Sequence, residues 1–204
     1  MQRALLRLFL VLALVPLLAL PAAARKPKGA STEPGKYTDW KDEIDELEIV
    51  ETFKLSDYSQ VAVEAFDAEN TELPEKDDNT YGPVKAVLVD AAGPFAQGLA
   101  GGLGGRIDVS RASGKESKAL LVRARVEEMD PGSRAARYWA GFGAGAARAK
   151  LVGEVVDAGS GKVLLRFTQE RRSGVGVAGG NYVELMNRNL VTIGEDVALI
   201  LSAF

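Results

Sequence analysis

The sequence predicts an α+β domain with two layers, in which two helices pack on one face of a mixed or antiparallel sheet. Three observations favour this class. Several segments alternate apolar with polar residues, two others repeat apolar residues every three or four positions, and together they follow the order β-α-β-β-β-α. The 204 residues are 47% hydrophobic and 26% charged, which is an ordinary composition for a chain with one folded core.

The predicted strands are segments in which polar and apolar side chains alternate. Residues 60–67 (QVAVEAFD) and 119–129 (ALLVRARVEEM) each place apolar side chains on one face. Two more extended runs, residues 147–156 and 162–169, flank the sequence Asp157-Ala-Gly-Ser-Gly161. Because a glycine-rich turn joins these runs, they predict a β-hairpin.

Two segments have helical periodicity. From residue 83 to 103 the apolar side chains recur every three or four positions, beginning at Pro83, and proline suits a first helical turn. Gly93-Pro94 falls in the middle of this helix and predicts that it is kinked or split there. Residues 181–203 predict a closing amphipathic helix with six apolar positions: Met186, Leu190, Ile193, Val197, Leu201 and Phe204.

The first 24 residues have the pattern of a secretory signal peptide, with Arg3 and Arg7, an apolar run and small residues before Arg25. The apolar run is too short for a membrane anchor, which needs roughly 20 residues. We therefore expect cleavage between Ala24 and Arg25, no transmembrane helix in the mature chain, and a periplasmic or secreted location. No cysteine is present to accept a lipid, so a lipoprotein is not expected.

Residues 25–45 are polar and rich in Pro and Gly, which predicts a flexible linker. Residues 46–204 are then expected to form a single globular domain. The stretch from Asp39 to Asp78 has 15 acidic and three basic residues. This acidic arm is either simply solvated, or it binds the chain's own domain, a basic partner or cations.

The chain contains no His and no Cys, which excludes a Ser-His-Asp triad, a thiol nucleophile and a zinc site built on these ligands. Only carboxylates remain as acid–base candidates: Glu127, Glu128, Asp130, Glu195 and Asp196. Adjacent residues of a strand point to opposite faces, so Glu127 and Glu128 are not expected to act as a pair. We therefore expect a protein that is not an enzyme and has no cofactor or metal.

Three glycine-containing or acidic motifs partly resemble known binding sites. The G-x-G-x-x-G at residues 174–179 lacks the following strand with an acidic residue that a dinucleotide site needs, so a flexible loop is favoured. The glycines at 141–145 lack the Gly-Lys-Ser/Thr of a phosphate loop. Residues 77–82 partly match a calcium loop, but Leu88 stands where a glutamate is needed, which favours an acidic turn before the helix over weak calcium binding.

The segment from residue 134 to 145 combines arginine and aromatic side chains with small residues, and this combination favours a contact with a partner protein. Alternatively, the arginines pair with carboxylates and the tryptophan covers the edge of the core. Nucleic acid is not expected, because the net charge is −3 and the chain is expected to be exported. The candidate contact residues are Arg134, Arg137, Tyr138, Trp139 and Phe142.

The stretch from Met129 to Phe167 resembles the bacterial envelope family known as domain of unknown function 4410. The resemblance rests on Gly132 and Arg137, on Gly141-Phe-Gly-Ala-Gly145, and on Asp157 with Gly161 at the hairpin turn. It implies an α/β fold similar to the curli-secretion-channel and TolB amino-terminal domains, used mainly for assembly and protein contacts. Many members look like lipoproteins, and this chain differs from them by lacking the acylated cysteine.

Taken together, the residues and the resemblance predict a non-enzymatic interaction or assembly module of the bacterial cell envelope. The expected partner is an envelope protein or a second copy of the chain. The alternative is a periplasmic protein that binds a small ligand or ion through its glycine-rich loops.

Overall fold

The computed structural model describes residues 31–111, 118–133, 145–173 and 181–204. Over these ranges the chain forms seven strands, three α-helices and one short 3₁₀ helix, Leu55–Asp57. The strands are β1 (Gly35–Trp40), β2 (Ile44–Ile49), β3 (Gln60–Val63), β4 (Asp108–Ser110), β5 (Ala119–Asp130), β6 (Ala147–Asp157) and β7 (Val163–Ser173). The helices are α1 (Tyr81–Val89), α2 (Ala92–Leu103) and α3 (Tyr182–Leu201). No helix in these ranges is both long enough and apolar enough to cross a membrane.

The seven described strands form one sheet in the order β1-β2-β7-β6-β5-β3-β4. β3 pairs in parallel with both β4 and β5, while the other neighbours are antiparallel. The predicted α+β class with a mixed sheet is therefore confirmed. The predicted order β-α-β-β-β-α differs from the observed one, because it lacks β1, β2 and β4 and treats α1 and α2 as one helix.

The β1–β2 hairpin differs from the sequence prediction, because it begins inside the predicted linker of residues 25–45. Most side chains of β1 are exposed, so this edge strand lacks the apolar alternation by which a strand is recognised. Trp40 and Ile44 nevertheless anchor the hairpin in the core, with 2% and 1% of their surface exposed. The indole Nε1 of Trp40 also donates a hydrogen bond to the carbonyl oxygen of Ser31 at 3.0 Å.

Of the two outcomes predicted at Gly93-Pro94, a kink or a split, the structure has the split, which separates α1 from α2. α1 ends at Val89, and Pro94 is the third residue of α2. Proline lacks an N–H and its ring clashes with the carbonyl four residues earlier, here that of Asp90, so a continuous helix cannot pass this point. The break therefore lies a few residues before the proline, which occupies a first turn where no N–H is needed.

The predicted closing helix is confirmed as α3, which begins where the side chain of Asn181 accepts a hydrogen bond from the backbone N–H of Glu184 at 2.8 Å. α3 packs on β6 and β7: the side chain of Asn189 donates to the carbonyl oxygen of Ala147, and the hydroxyl of Ser173 donates to that of Leu185. The apolar stripe of α3 thus closes the core over the centre of the sheet.

α2 crosses α3 at a distance that only glycine permits. A Cβ on Gly98 would lie 1.9 Å from the backbone oxygen of Val191, and a Cβ on Gly194 would lie 2.1 Å from that of Phe95. A Cβ on Gly102 would likewise lie 2.6 Å from the Cβ of Ala198. Each helix therefore contributes small residues where the two backbones touch.

Candidate interaction surface

Outside the described ranges lie the five residues predicted to contact a partner: Arg134, Arg137, Tyr138, Trp139 and Phe142. The residues at the two ends of their segment are described, and they lie together. The backbone N–H of Ser133 donates to the carbonyl oxygen of Gly145 at 3.0 Å. Gly132 has a φ of 70°, and a Cβ there would lie 2.2 Å from the same oxygen. A glycine is therefore required at the point where the segment leaves β5.

A polar cavity of about 760 Å³ lies beside these ends, between the ends of the central strands β5, β6 and β7 and the first turns of α1 and α3. One carboxylate oxygen of Asp130 accepts from the backbone N–H of Gly132, and the other accepts from Arg148, both at 2.7 Å. Asp78 accepts from the backbone N–H and the hydroxyl of Thr80, and these bonds hold its pKa below the ordinary value. Asp78 thus forms the acidic turn before α1 that the sequence predicted.

The turn between β6 and β7 is held by Asp157, one of the residues that carried the family resemblance. Its Oδ1 accepts from the backbone N–H of Ser160 at 2.7 Å, and its Oδ2 accepts from the hydroxyl of Tyr58 at 2.8 Å. Gly161 follows with a φ of 73°, and its N–H donates to the carbonyl oxygen of Asp157. The Asp157 and Gly161 positions of the motif therefore have a structural role, which is to shape the hairpin.

These contacts make the stability of the hairpin turn depend on pH. The bonds from Ser160 and then from Tyr58 lower the pKa of Asp157, while burial and the nearby carboxylate raise the pKa of Tyr58. A carboxylate with a lowered pKa stabilises the folded state above the pKa of the unfolded chain, about 4, and loses this effect as the pH falls through the folded value.

We expect Asp157→Asn to lower the free energy of unfolding by about 1–2 kcal/mol at pH 7, because the charge of an acceptor with several donors is lost. The difference from the wild type should shrink between pH 7 and pH 3, because below about pH 4 the unfolded chain binds a proton more readily than the folded carboxylate does. Urea denaturation at both pH values measures this. Tyr58→Phe, which removes only one donor, is the matched variant and should have a smaller effect. An equal loss for Asp157→Asn at pH 7 and pH 3 would contradict the assignment.

The central strands have a face that points away from α3, which we call the outer face. On β7, Gln169 and Ser173 bond to α3, so the alternate residues Arg166 and Thr168 point to the opposite side. The strand register extends this face to residues of β6, β5 and β2. The outer face is therefore lined mainly by polar side chains, as expected for a sheet surface in contact with solvent or a partner.

A row of six charged residues of alternating sign crosses the outer face perpendicular to the strands. Glu48 lies 3.7 Å from Lys36 and 3.0 Å from Arg166, and Arg123 lies 4.0 Å from Glu154 and 3.1 Å from Glu64. Glu154 and Arg166 are direct partners in the register of β6 and β7. We call this set the charge row; in spatial order it consists of Lys36, Glu48, Arg166, Glu154, Arg123 and Glu64.

A trough of about 680 Å³ runs beside the charge row across the same strands. Its other wall is formed by outer-face residues two positions along each strand: Thr38, Glu46, Thr168, Val152 and Arg125. Half of the side-chain surface of Arg123 and of Arg166 is exposed, at 50% and 51%. The Arg166 guanidinium holds the pKa of Glu48 below its ordinary value, so Glu48 stays charged near neutral pH.

The prediction that Glu127 and Glu128 point to opposite faces is wrong. The register between β5 and β6 shifts between Val126 and Glu128, so one extra residue is accommodated there as a β-bulge. Glu127 contacts Lys150 at 2.7 Å and Glu128 contacts Arg148 at 3.4 Å, and both cations belong to the outer face. The hydrogen bond from Lys150 lowers the pKa of Glu127.

Asp196 is the buried carboxylate of the core, with 7% of its surface exposed. Nε and Nη2 of Arg171 donate to its two oxygens at 2.7 Å each, and Nε2 of Gln169 donates to Oδ2 at 2.8 Å. Arg171 and Gln169 also donate to the carbonyl oxygen of Glu43, which ties the network to the β1–β2 hairpin. Burial raises the pKa of Asp196 even though Arg171 opposes the rise.

The comparisons with solved structures give distant similarities. The chain is similar to a PelC dodecamer from Paraburkholderia phytofirmans, with 19% sequence identity and a TM-score of 0.46 over 72% of this chain and 94% of that one. It is also similar to a Xanthomonas campestris protein of the family DUF330, with 13% identity and a TM-score of 0.36 over 69% of this chain and 82% of that one. Among curated proteins, none matches the chain.

The family comparison covers most of the sheet and its connections. One family model matches residues 61–179, which include β3 to β7, α1 and α2 as well as the segment that carried the resemblance. This match extends over more than half of the 204 residues. The chain therefore belongs to the family described as domain of unknown function (DUF4410).

Proposed function

We propose that this chain is a non-enzymatic interaction or assembly module of the bacterial cell envelope, and that the outer face of its sheet is the contact surface. The observation that carries the proposal is the trough of about 680 Å³ with the charge row along one wall. It extends over five strands, so the contact residues have fixed positions relative to one another. A rigid surface with fixed charges favours recognition of a protein surface of complementary charge.

The carboxylates support a non-enzymatic role. A general acid needs a raised pKa and must face a cleft. The pKa of Glu127 is lowered, and Glu127, Glu128 and Asp130 each contact a cation. The pKa of Asp196 is raised, but its two oxygens are held by Arg171 and Gln169 inside the core. This arrangement favours structural roles for these groups.

The periplasmic location is part of the proposal and rests on the signal-peptide pattern of residues 1–24. Mass spectrometry of the protein purified from cells provides its test. We expect a mature chain that begins at Arg25 in the periplasmic or secreted fraction. A full-length chain in the cytosol would contradict both the cleavage and the proposed place of action.

Site-specific photo-cross-linking in cells tests the contact surface. A benzophenone amino acid replaces Thr168 in the trough, and a matched variant carries it at Val89, a residue at the end of α1 that is 84% exposed. We expect a discrete adduct, identified by mass spectrometry as an envelope protein or as this chain, from position 168 but not from position 89. No adduct at 168 in a correctly exported chain, or the same adducts at both positions, would overturn the proposal.

The polar cavity at the ends of β5 and β6 supports the second candidate, binding of a small ligand or ion. It has a volume of about 760 Å³ and is lined by Asp130, Arg148 and Arg172 beside the ends of the glycine-containing segment. A thermal-shift screen of polar metabolites and divalent cations tests it. A ligand that raises the melting temperature of the wild type but not of Arg172→Ala would favour this function over the interaction module.

A further inference from the structure

We propose that the partner of the outer face is a second copy of this chain, docked face to face about a two-fold axis that runs parallel to the strands. This inference rests on the proposed function, whose contact surface it uses. It follows from the order of charges in the charge row together with the symmetry that a dimer of identical chains requires.

The charge row is complementary in charge to a second copy of itself that runs in the opposite direction. In spatial order its signs are plus, minus, plus, minus, plus, minus, from Lys36 on β1 to Glu64 after β3. A two-fold axis parallel to the strands, between β7 and β6, turns the row end for end. Each charge then faces the opposite charge in the other copy, with Arg166 facing Glu154, Glu48 facing Arg123, and Lys36 facing Glu64. An axis along the row would instead place each charge against itself.

The same two-fold axis also brings opposite charges together among the outer-face residues beside the charge row. On the next row, Glu46 of β2 would face Arg125 of β5, since both strands are one step outside the central pair β7 and β6. On the row after that, Glu170 of β7 would face Lys150 of β6. The trough between the rows leaves space in which the opposing side chains interdigitate.

Two features set the limits of the contact. At one end, Arg148 and Arg172 are paired in the register, so the same axis would bring like charges together there. At the other end, the outer-face residues Leu121 and Val156 are already buried under Ala158 and Val163. The free area between these limits is about 25 Å across the strands and about 20 Å along them, or about 500 Å² per copy.

This area predicts a weak dimer. Two copies would bury about 1,000 Å², which is near the lower limit for a specific interface. Since opposite charges supply the specificity, the dimer should be favoured at low ionic strength and should dissociate as salt screens the contacts. A concentration series of the mature chain by sedimentation velocity, at about 20 mM and about 500 mM salt, gives the first test.

A charge exchange between copies gives the decisive test. Arg166→Glu places two like-charge contacts in its own dimer, and Glu154→Arg does the same, so each variant alone should be monomeric. When the two variants are mixed, the introduced glutamate of one chain faces the introduced arginine of the other, and the native Arg166 and Glu154 face each other at the second contact. We expect at least about a tenfold recovery of dimer affinity in the mixture, seen as a heterodimer by native mass spectrometry. Circular dichroism confirms that each variant is folded.

Arg188→Glu is the matched control, since Arg188 pairs with Glu184 on the exposed side of α3 and is not part of the outer face. It should dimerise like the wild type. A wild-type chain that stays monomeric at low salt and high concentration would overturn the inference, and so would single variants that dimerise normally or a mixture that stays monomeric. An adduct between Thr168 and another envelope protein in cells would then leave the proposed function standing with a different partner, whereas no adduct would remove both.

Discussion

Gly98→Ala is expected to lower the free energy of unfolding by about 3 kcal/mol or more, at the upper end of the range for overpacked cores. The new Cβ would lie 1.9 Å from the backbone oxygen of Val191 on α3. Because this neighbour is backbone, no change of rotamer can relieve the clash, and α2 and α3 have to move apart. That movement would also separate Gly194 from the backbone of Phe95, at the same crossing. Urea denaturation followed by circular dichroism measures the effect.

Gly101→Ala is the control on the same helix, because nothing lies within 4 Å of a Cβ at that position. Alanine is the better helix former, so this change should leave stability unchanged or raise it by up to about 1 kcal/mol. Opposite signs for the two substitutions would show that the close approach of the helices, not helix propensity, requires Gly98. A similar loss for both would contradict that explanation.

Arg171→Met is expected to lower the free energy of unfolding by about 3 kcal/mol, again measured by urea denaturation. The substitution leaves the carboxylate of Asp196, which is buried with 7% of its surface exposed, without the guanidinium that opposes the effect of burial on its pKa. Removing one member of a buried ion pair is costly because the remaining charge is not compensated. The control is Arg188→Ala on α3. It removes a pair whose side chains are more than half exposed, so it should cost less than about 0.5 kcal/mol.

A double substitution distinguishes the loss of stability caused by an unpaired charge from the stability that the ion pair itself contributes. Arg171→Met combined with Asp196→Leu removes both charges, and we expect it to be more stable than either single change. If the double variant is instead less stable than both single variants, the pair stabilises the fold in a way that apolar packing cannot replace.

Asp196 also responds to pH in the opposite sense to Asp157. Because burial raises the pKa of Asp196, its folded form binds a proton more tightly than the unfolded chain. Its contribution is therefore most favourable at low pH and declines as the pH rises through the folded pKa. Acid destabilisation of this protein should accordingly arise from carboxylates with lowered pKa values, such as Asp157 and Glu127, and not from Asp196.

The elements that were predicted correctly are those whose periodicity is strong. β5, β6, β7 and α3 each bury alternate residues or one helical stripe, and their bounds agree with the predictions to within a few residues. The β1–β2 hairpin has no such pattern, because edge-strand residues such as Lys36 and Thr38 are exposed. The helix breaks a few residues before Gly93-Pro94, because the clash caused by Pro94 acts on the carbonyl four residues earlier.

The charge row could not be predicted in the same way. Alternation along one strand indicates that Arg123, Glu154 and Arg166 share a face with their neighbours, but not which residues of other strands lie opposite them. That pairing depends on register and on strand order, and β2 pairs with β7 from a distant part of the chain. The Glu127 bulge likewise adds one residue to one strand, which no periodic pattern reveals.

The pairing of β2 with β7 also affects how the chain reaches its final form. The N–H of Asp45 bonds to Gln169 across 124 positions, and α3, which packs on β6 and β7, follows both strands in the chain. Such distant pairings make folding slow, because long loops have to close before the contacts form. A polypeptide that leaves the ribosome without a completed core stays available for passage through a translocation channel, so late folding is compatible with the export proposed above.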